Sequence, residues 1–292
     1  MRAISTLAAG LAPGGARSRQ RPKVGLALSG GGARGLAHIG VLKILEREGI
    51  PIDFLAGTSM GGMIAAGYAS GLDAERLEQE ALRIGRLSHL IEFFDRILLT
   101  KPGLFEGQRV QRYLVEWLGD MTFDDLRTPL ALVAVDLERG EEVILKSGSV
   151  VEAVRATISL PGLFAPFRLN GRLLIDGGVL NNLPAGVVRG MGADIVIAVD
   201  VGLKLEDLPS ASEERGLPLT QIPLIIAILH RTLCIMEGWI TAQKLAASRP
   251  EVLIEPALGD DFGIFSFNRA AECIAAGEEA ATAALPKLRQ LA

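Results

Sequence analysis

The 292-residue chain predicts an α/β fold in which a mainly parallel sheet is covered by helices on both faces. Three observations carry that expectation. Short apolar runs alternate with segments of helical periodicity, two of those runs pass through glycine-rich turns directly into helical segments, and 49% of residues are hydrophobic, enough for a sizeable core.

Residues 1–22 carry Arg2, Arg17, Arg19 and Arg21 among Gly, Ala and Pro and are expected to be a disordered tail. Most of that charge follows the mildly apolar stretch 4–12, whereas a secretory signal places it before; a targeting segment is the alternative reading. The rest, 23–292, is expected to form one domain. Strands are expected at 23–29, 52–56, 130–136, 173–176, 195–201 and 252–254, each a short apolar run bounded by turn residues. Helical patterns follow the first two, at 36–46 and 62–70, and Glu138-Arg139-Gly140-Glu141 between two strand-like runs predicts one antiparallel hairpin. Residues 205–218, with two prolines, are expected to be a loop before a long helical stretch at 223–245, and further helix closes the chain.

The chemistry is concentrated in the turns. Gly57-Thr58-Ser59-Met60-Gly61 has the spacing of a nucleophile elbow, in which a strand reverses into a helix so tightly that side chains two residues either side of the serine would collide. Gly30-Gly31-Gly32-Ala33-Arg34-Gly35 lies between strand and helix, where successive backbone N–H groups can hold an anion, either a phosphate or an oxyanion. Gly30, Gly32 and Gly35 also satisfy a dinucleotide fingerprint, with Asp53 at 53 − 30 = 23 positions on; Asp53, however, starts its strand, whereas a ribose ligand projects from the strand's far end. Asp176, ending the run Arg172-Leu173-Leu174-Ile175 before Gly177 and Gly178, is either a turn former or the base a serine hydroxyl needs. Of the three histidines, His38, His89 and His230, only His230 follows Asp176, and it lies in a helical stretch. Asp176 is therefore the better candidate base.

In this order the three blocks, Gly30-Gly31-Gly32-Ala33-Arg34-Gly35, Gly57-Thr58-Ser59-Met60-Gly61 and Asp176-Gly177-Gly178, resemble the signatures of the patatin-like phospholipases. Val154-Arg155-Ala156-Thr157-Ile158-Ser159-Leu160-Pro161-Gly162 resembles a fourth block, with Thr157 where the family more often carries serine. The resemblance spans about 23–201, with a weaker echo at 250–256 and the C-terminal helix. It implies a three-layer α/β/α fold, Ser59 as nucleophile, Asp176 as proton acceptor, and an oxyanion hole at Gly30, Gly31, Gly32 and Arg34. Gly35, Gly57, Gly61, Gly177 and Gly178 are the accompanying motif glycines. It further implies hydrolysis of fatty-acyl esters of phospholipids or lysophospholipids through an acyl-enzyme, without metal or other cofactor, so that activity is expected to be independent of Ca²⁺. The alternatives are a small-ester or thioester hydrolase, and a regulatory member that binds lipid or protein without useful turnover.

Net charge is −4 with both signs interspersed, which argues against nucleic acid as a partner. Cys234 and Cys273 form no disulfide framework and fit a reducing, cytoplasmic compartment. No run approaches the ~18 apolar residues of a membrane span, so contact with a lipid surface is expected to be peripheral. Two segments are candidates for it: 90–99, a flap or a core helix, and 223–245, whose broad apolar stripe suits burial in the domain, a twin subunit in a homo-oligomer, or lipid.

Overall fold

The computed structural model describes residues 21–86, 105–203, 224–259 and 262–291. Residues 1–20, the candidate flap at 90–99 and the loop expected at 205–218 lie outside them. The elements are β1 (Val24–Leu28), α1 (Ala37–Arg47), β2 (Phe54–Thr58), α2 (Ser59–Ala69), α3 (Ala74–Ile84), α4 (Gln108–Leu118), β3 (Leu130–Asp136), β4 (Glu141–Leu145), α5 (Val150–Thr157), β5 (Phe167–Leu169), β6 (Arg172–Asp176), α6 (Gly178–Asn181), α7 (Ala185–Gly190), β7 (Ile195–Val199), α8 (Leu224–Ser248), β8 (Val252–Ile254) and α9 (Ala270–Leu291). A 3-10 turn, Gly32–Leu36, leads into α1.

The sheet order is β5-β6-β3-β2-β1-β7-β8, with β4 also paired to β3. Pairings β3-β2, β2-β1, β1-β7 and β7-β8 are parallel, and those of β3 with β4, β3 with β6, and β5 with β6 are antiparallel. The β3-β4 pair is the hairpin expected around Glu138 to Glu141, turning at Gly140. A second hairpin joins β5 to β6 through Asn170 and Gly171, both at positive φ, a turn that the sequence reading had passed over.

The parallel strands are buried along their length, and their side chains sort by alternation into two layers. Val24, Leu26 and Leu28 face the larger apolar cluster shared with α1 and α9, while Ala27, Ala56, Ala131 and Ala198 face a smaller one with Leu183 and Val188. Helices α1 and α9 cover the leucine-bearing face and α7 the alanine-bearing face, giving the three-layer arrangement. The second strand runs two residues beyond the expected 52–56, because Gly57 and Thr58 still pair with Leu132 and Val133. Helix α2 correspondingly begins at Ser59 itself.

Candidate active site

The pairing of β3 explains how residues 117 positions apart come together. Val133 and Leu132 pair with β2 on one edge and with β4 on the other, so β4 occupies one edge of β3 from Leu132 to Asp136. The remaining edge is shared end to end: Thr58 lies opposite Val133 and Asp176 opposite the next residue, Ala134. The C-terminal ends of β2 and β6 thus converge head-on, and Ser59 meets Asp176 there. Gly177 seats this junction, since a Cβ on it would fall 2.4 Å from the Val133 carbonyl oxygen.

Ser59 has φ 53, a left-handed conformation that is uncommon for a residue bearing a Cβ. The flanking glycines permit it by close approach: a Cβ on Gly57 would lie 2.6 Å from the Gly61 oxygen, and one on Gly61 2.4 Å from the Ser29 oxygen. The second collision is with the end of β1 rather than with the elbow itself. Behind the turn, Ser59 N–H donates to Thr157 Oγ1 at 2.9 Å, and the same hydroxyl donates to the Val133 carbonyl. Thr157 therefore ties the elbow to β3 through its oxygen, a bond that a serine hydroxyl can also make. Thr157→Val, which keeps the shape and removes the oxygen, is expected to lower kcat about tenfold and stability by about 1–3 kcal/mol; Thr157→Ser is expected to leave both near wild type. Parallel kinetics and thermal melts check this.

In the glycine loop, Gly31 and Gly32 N–H donate to no group among the described residues. Two expected members of the oxyanion hole are committed elsewhere. Gly30 N–H donates to the Asn182 carbonyl, and the buried Arg34 guanidinium holds the carbonyls of Val201 and Phe262, so Arg34 braces the loop from behind. The available donors narrow to Gly31 and Gly32. Gly35 lets the loop press on α2, because a Cβ there would lie 2.5 Å from Met60 Cγ. His38 is fully buried, its Nε2–H donating to the Ser29 carbonyl at 2.8 Å, and burial pushes its pKa down to about 4. It is a neutral strut under the loop and no base. His89 lies outside the described residues, and His230 falls within α8. Asp53 accepts from Val24 N–H and pairs with Arg21 at the opposite end of the sheet, which removes the dinucleotide reading.

Asp176 is 2% exposed. Gly178 N–H donates to its Oδ1 at 2.8 Å, while Oδ2 is buried without a hydrogen bond of standard geometry. Burial pushes its pKa up to about 6; the Ser59 side chain and the Gly178 amide pull against that rise. A carboxyl so poised is ionised near neutrality yet basic enough to take a proton.

These groups open on a cavity of about 450 Å³. On one side it is walled by α2, α3 and α4, with Met63, Leu77 and Val110; there the Tyr113 hydroxyl donates to Glu80 at 2.7 Å. On the other side it is walled by α8, which brings in Glu237, a residue the sequence reading missed. Its signal was a single charged residue among the eleven of 232–242. Asn182, whose Nδ2 reaches the Gly30 carbonyl at 3.4 Å, was also missed; it follows the third glycine motif but looks like an ordinary turn residue.

A family model described as patatin-like phospholipase matches residues 26–189, more than half of the chain. Patatin-like phospholipase domain-containing protein 6 of Mus musculus is 39% identical over 182 residues, covering 61% of this chain and 13% of that protein. Lysophospholipase NTE1 of Pyricularia oryzae is 30% identical over 279 residues, covering 91% of this chain and 18% of that protein. The chain thus spans less than a fifth of the length of either relative. The crystal structure of VipD from Legionella pneumophila superposes with a TM-score of 0.50 at 13% identity, covering 93% of this chain and 67% of that one; the likeness is one of fold.

Proposed function

Since the chain belongs to the patatin-like phospholipase family, we propose that it hydrolyses fatty-acyl esters of phospholipids or lysophospholipids through Ser59 and Asp176. The observation that carries this reading is the convergence of a left-handed serine and a buried aspartate with a spare oxygen, on one edge of β3, beside two unused loop amides.

Asp176 takes the Ser59 hydroxyl proton as Oγ attacks the acyl carbonyl. The oxyanion is held by Gly31 and Gly32 N–H, each such donor contributing about 3 kcal/mol to the transition state. As the tetrahedral species collapses, the C–O bond to the alcohol breaks and Asp176 returns the proton to the departing oxygen. Water then attacks the acyl-Ser59 ester, giving its proton to Asp176; the acid leaves and Ser59 regains its hydrogen. The apolar side of the cavity, between α2, α3 and α4, suits the acyl chain.

A fluorophosphonate probe is expected to label wild type on Ser59 and to leave Ser59→Ala unlabelled. Assays with phospholipid, lysophospholipid and short soluble esters complete the test. Labelling that persists in Ser59→Ala overturns the nucleophile, and turnover of short esters alone favours a small-ester hydrolase.

Among the described residues no helix is long and apolar enough to cross a membrane. The outer face of α8 nevertheless exposes Ile228, Ile235, Met236 and Trp239, the last at 70%, while its inner face lines the cavity. One helix with lipid at its back and substrate at its front brings the site to the phase that holds the substrate. Met236→Asp with Trp239→Asp is expected to weaken liposome binding roughly tenfold or more while soluble-ester turnover persists. Unchanged liposome binding returns this face to a twin subunit.

A further inference from the structure

Helix α2 begins at Ser59 and runs away from it, so positions along this helix measure depth into the cavity. Met60, Met63 and Ile64 line the first part of that path, and no residue of α2 beyond Ile64 lines it. One turn deeper, at Gly67, the two neighbouring helices close on α2. A Cβ on Gly67 would fall 2.4 Å from Trp117 Cη2 and 2.9 Å from Leu77 Cδ2. Glycine at 67 is thus what admits the Trp117 ring against the α2 backbone. Trp117 of α4 and Leu77 of α3 both line the cavity, and together they form its floor.

The ring is held in place. It stacks on Tyr113, one turn earlier in α4, with ring centroids 6.0 Å apart and planes inclined by 22°. Tyr113 is itself fixed through its hydroxyl, which donates to Glu80 of α3, and Glu80 is paired with Arg83. The polar tips therefore bond to one another, and the path between this bridge and α2 is apolar. An α-helix rises about 1.5 Å per residue, which sets the floor about 12 Å from Ser59. An extended hydrocarbon chain advances about 1.25 Å per carbon, so about ten carbons reach the floor. A sixteen-carbon chain, about 19 Å when extended, overshoots it.

We propose that Trp117, seated on Gly67, limits the length of the acyl chain that the site takes in, so that chains of about ten carbons fill it and longer ones gain nothing further. This rests on reading the cavity as a lipid acyl hydrolase site, in which the acyl carbonyl lies at Ser59 and the chain follows α2. Each methylene that enters the apolar path is removed from water and adds affinity. A methylene beyond the floor stays outside or forces the chain to bend. Trp117 is two helical turns from the reacting atoms and acts on specificity alone.

The test is binding to Ser59→Ala protein of monoacyl glycerophosphocholines that differ only in an unbranched chain of about 6 to 16 carbons, each below its micelle concentration. Affinity is expected to rise about fourfold per methylene up to about ten carbons and then to level off. Adding Trp117→Ala is expected to move that break later by about four carbons, and Trp117→Phe, which keeps an aromatic ring on Tyr113, by about two. Met63→Trp, which fills the path one turn from Ser59, is expected to bring the break below about eight. A series with no break, or a break that stays in place in both Trp117 variants, overturns the length limit. Wild-type turnover of the same esters is measured alongside: a break in binding without turnover at any length supports the limit and overturns the hydrolase reading, whereas turnover with no break in binding does the reverse.

Discussion

Asp176→Asn is expected to reduce ester hydrolysis about 10⁴-fold or more and, at the same time, to raise the melting temperature above neutral pH. The loss of activity follows from removing the carboxyl proposed to take the Ser59 proton as Oγ attacks. The gain in stability follows from what that carboxyl costs. Its pKa in the folded chain, about 6, exceeds the ordinary 3.8, so the folded protein holds the proton more tightly than the unfolded chain does. The associated stability is fully present below about pH 4 and is lost as pH rises through about 6. Above that, the ionised buried group costs about 3 kcal/mol, worth several degrees in a domain of this size. Asparagine keeps the oxygen that accepts from Gly178 N–H and carries no charge. Thermal melts across pH should therefore show Asp176→Asn and wild type converging below about pH 4, separating as pH rises from about 4 to about 6, and holding a constant separation above that. A separation that ignores pH, or has the opposite sign, rules out a buried, charge-penalised base. In the wild type, kcat/KM should fall tenfold per unit as pH drops below about 6, since protonated Asp176 accepts nothing.

Ser59→Ala is expected to reduce turnover by about 10⁴–10⁶-fold, leaving only what the loop amides and substrate binding provide. Ser59→Gly should be equally inactive and yet more stable than Ser59→Ala. The backbone at this position has φ 53, a conformation glycine enters freely and alanine enters at about 1–2 kcal/mol. Comparing the two inactive variants isolates the strain held at the elbow from the chemistry of the hydroxyl. Equal stability of the two would mean that the turn stores no strain, and retained turnover in either would remove Ser59 from the mechanism. In both predictions activity is maintained at the expense of stability, as expected where the backbone and a buried charge are held in costly states.

Much of this architecture was legible from local patterns. The strands at 130–136 and 252–254 were expected at their observed bounds, because a run of apolar residues between turn formers leaves little choice. The elbow was legible for a similar reason, since the glycines at 57 and 61 answer to a collision between atoms a few residues apart. The second strand ended two residues later than expected. Gly57 and Thr58 look like turn residues, yet the neighbouring β3 offers them ladder bonds. In the glycine loop, Gly30 and Arg34 fit the oxyanion motif, but their hydrogen bonds go to Asn182, Val201 and Phe262. Those partners lie more than 150 residues away, where no local pattern reaches.

By itself the sequence determined an α/β chain with a serine in a glycine-flanked elbow, a glycine loop between strand and helix and an aspartate at a strand end, because these depend on sterics between near neighbours. Only the tertiary structure decided that β2 and β6 share one edge of β3, that Asp176 keeps a spare buried oxygen, and that α8 sets Glu237 beside it. Burial and hydrogen-bond satisfaction are sums over all surrounding elements, and a carboxyl has an ordinary pKa until the chain has closed around it.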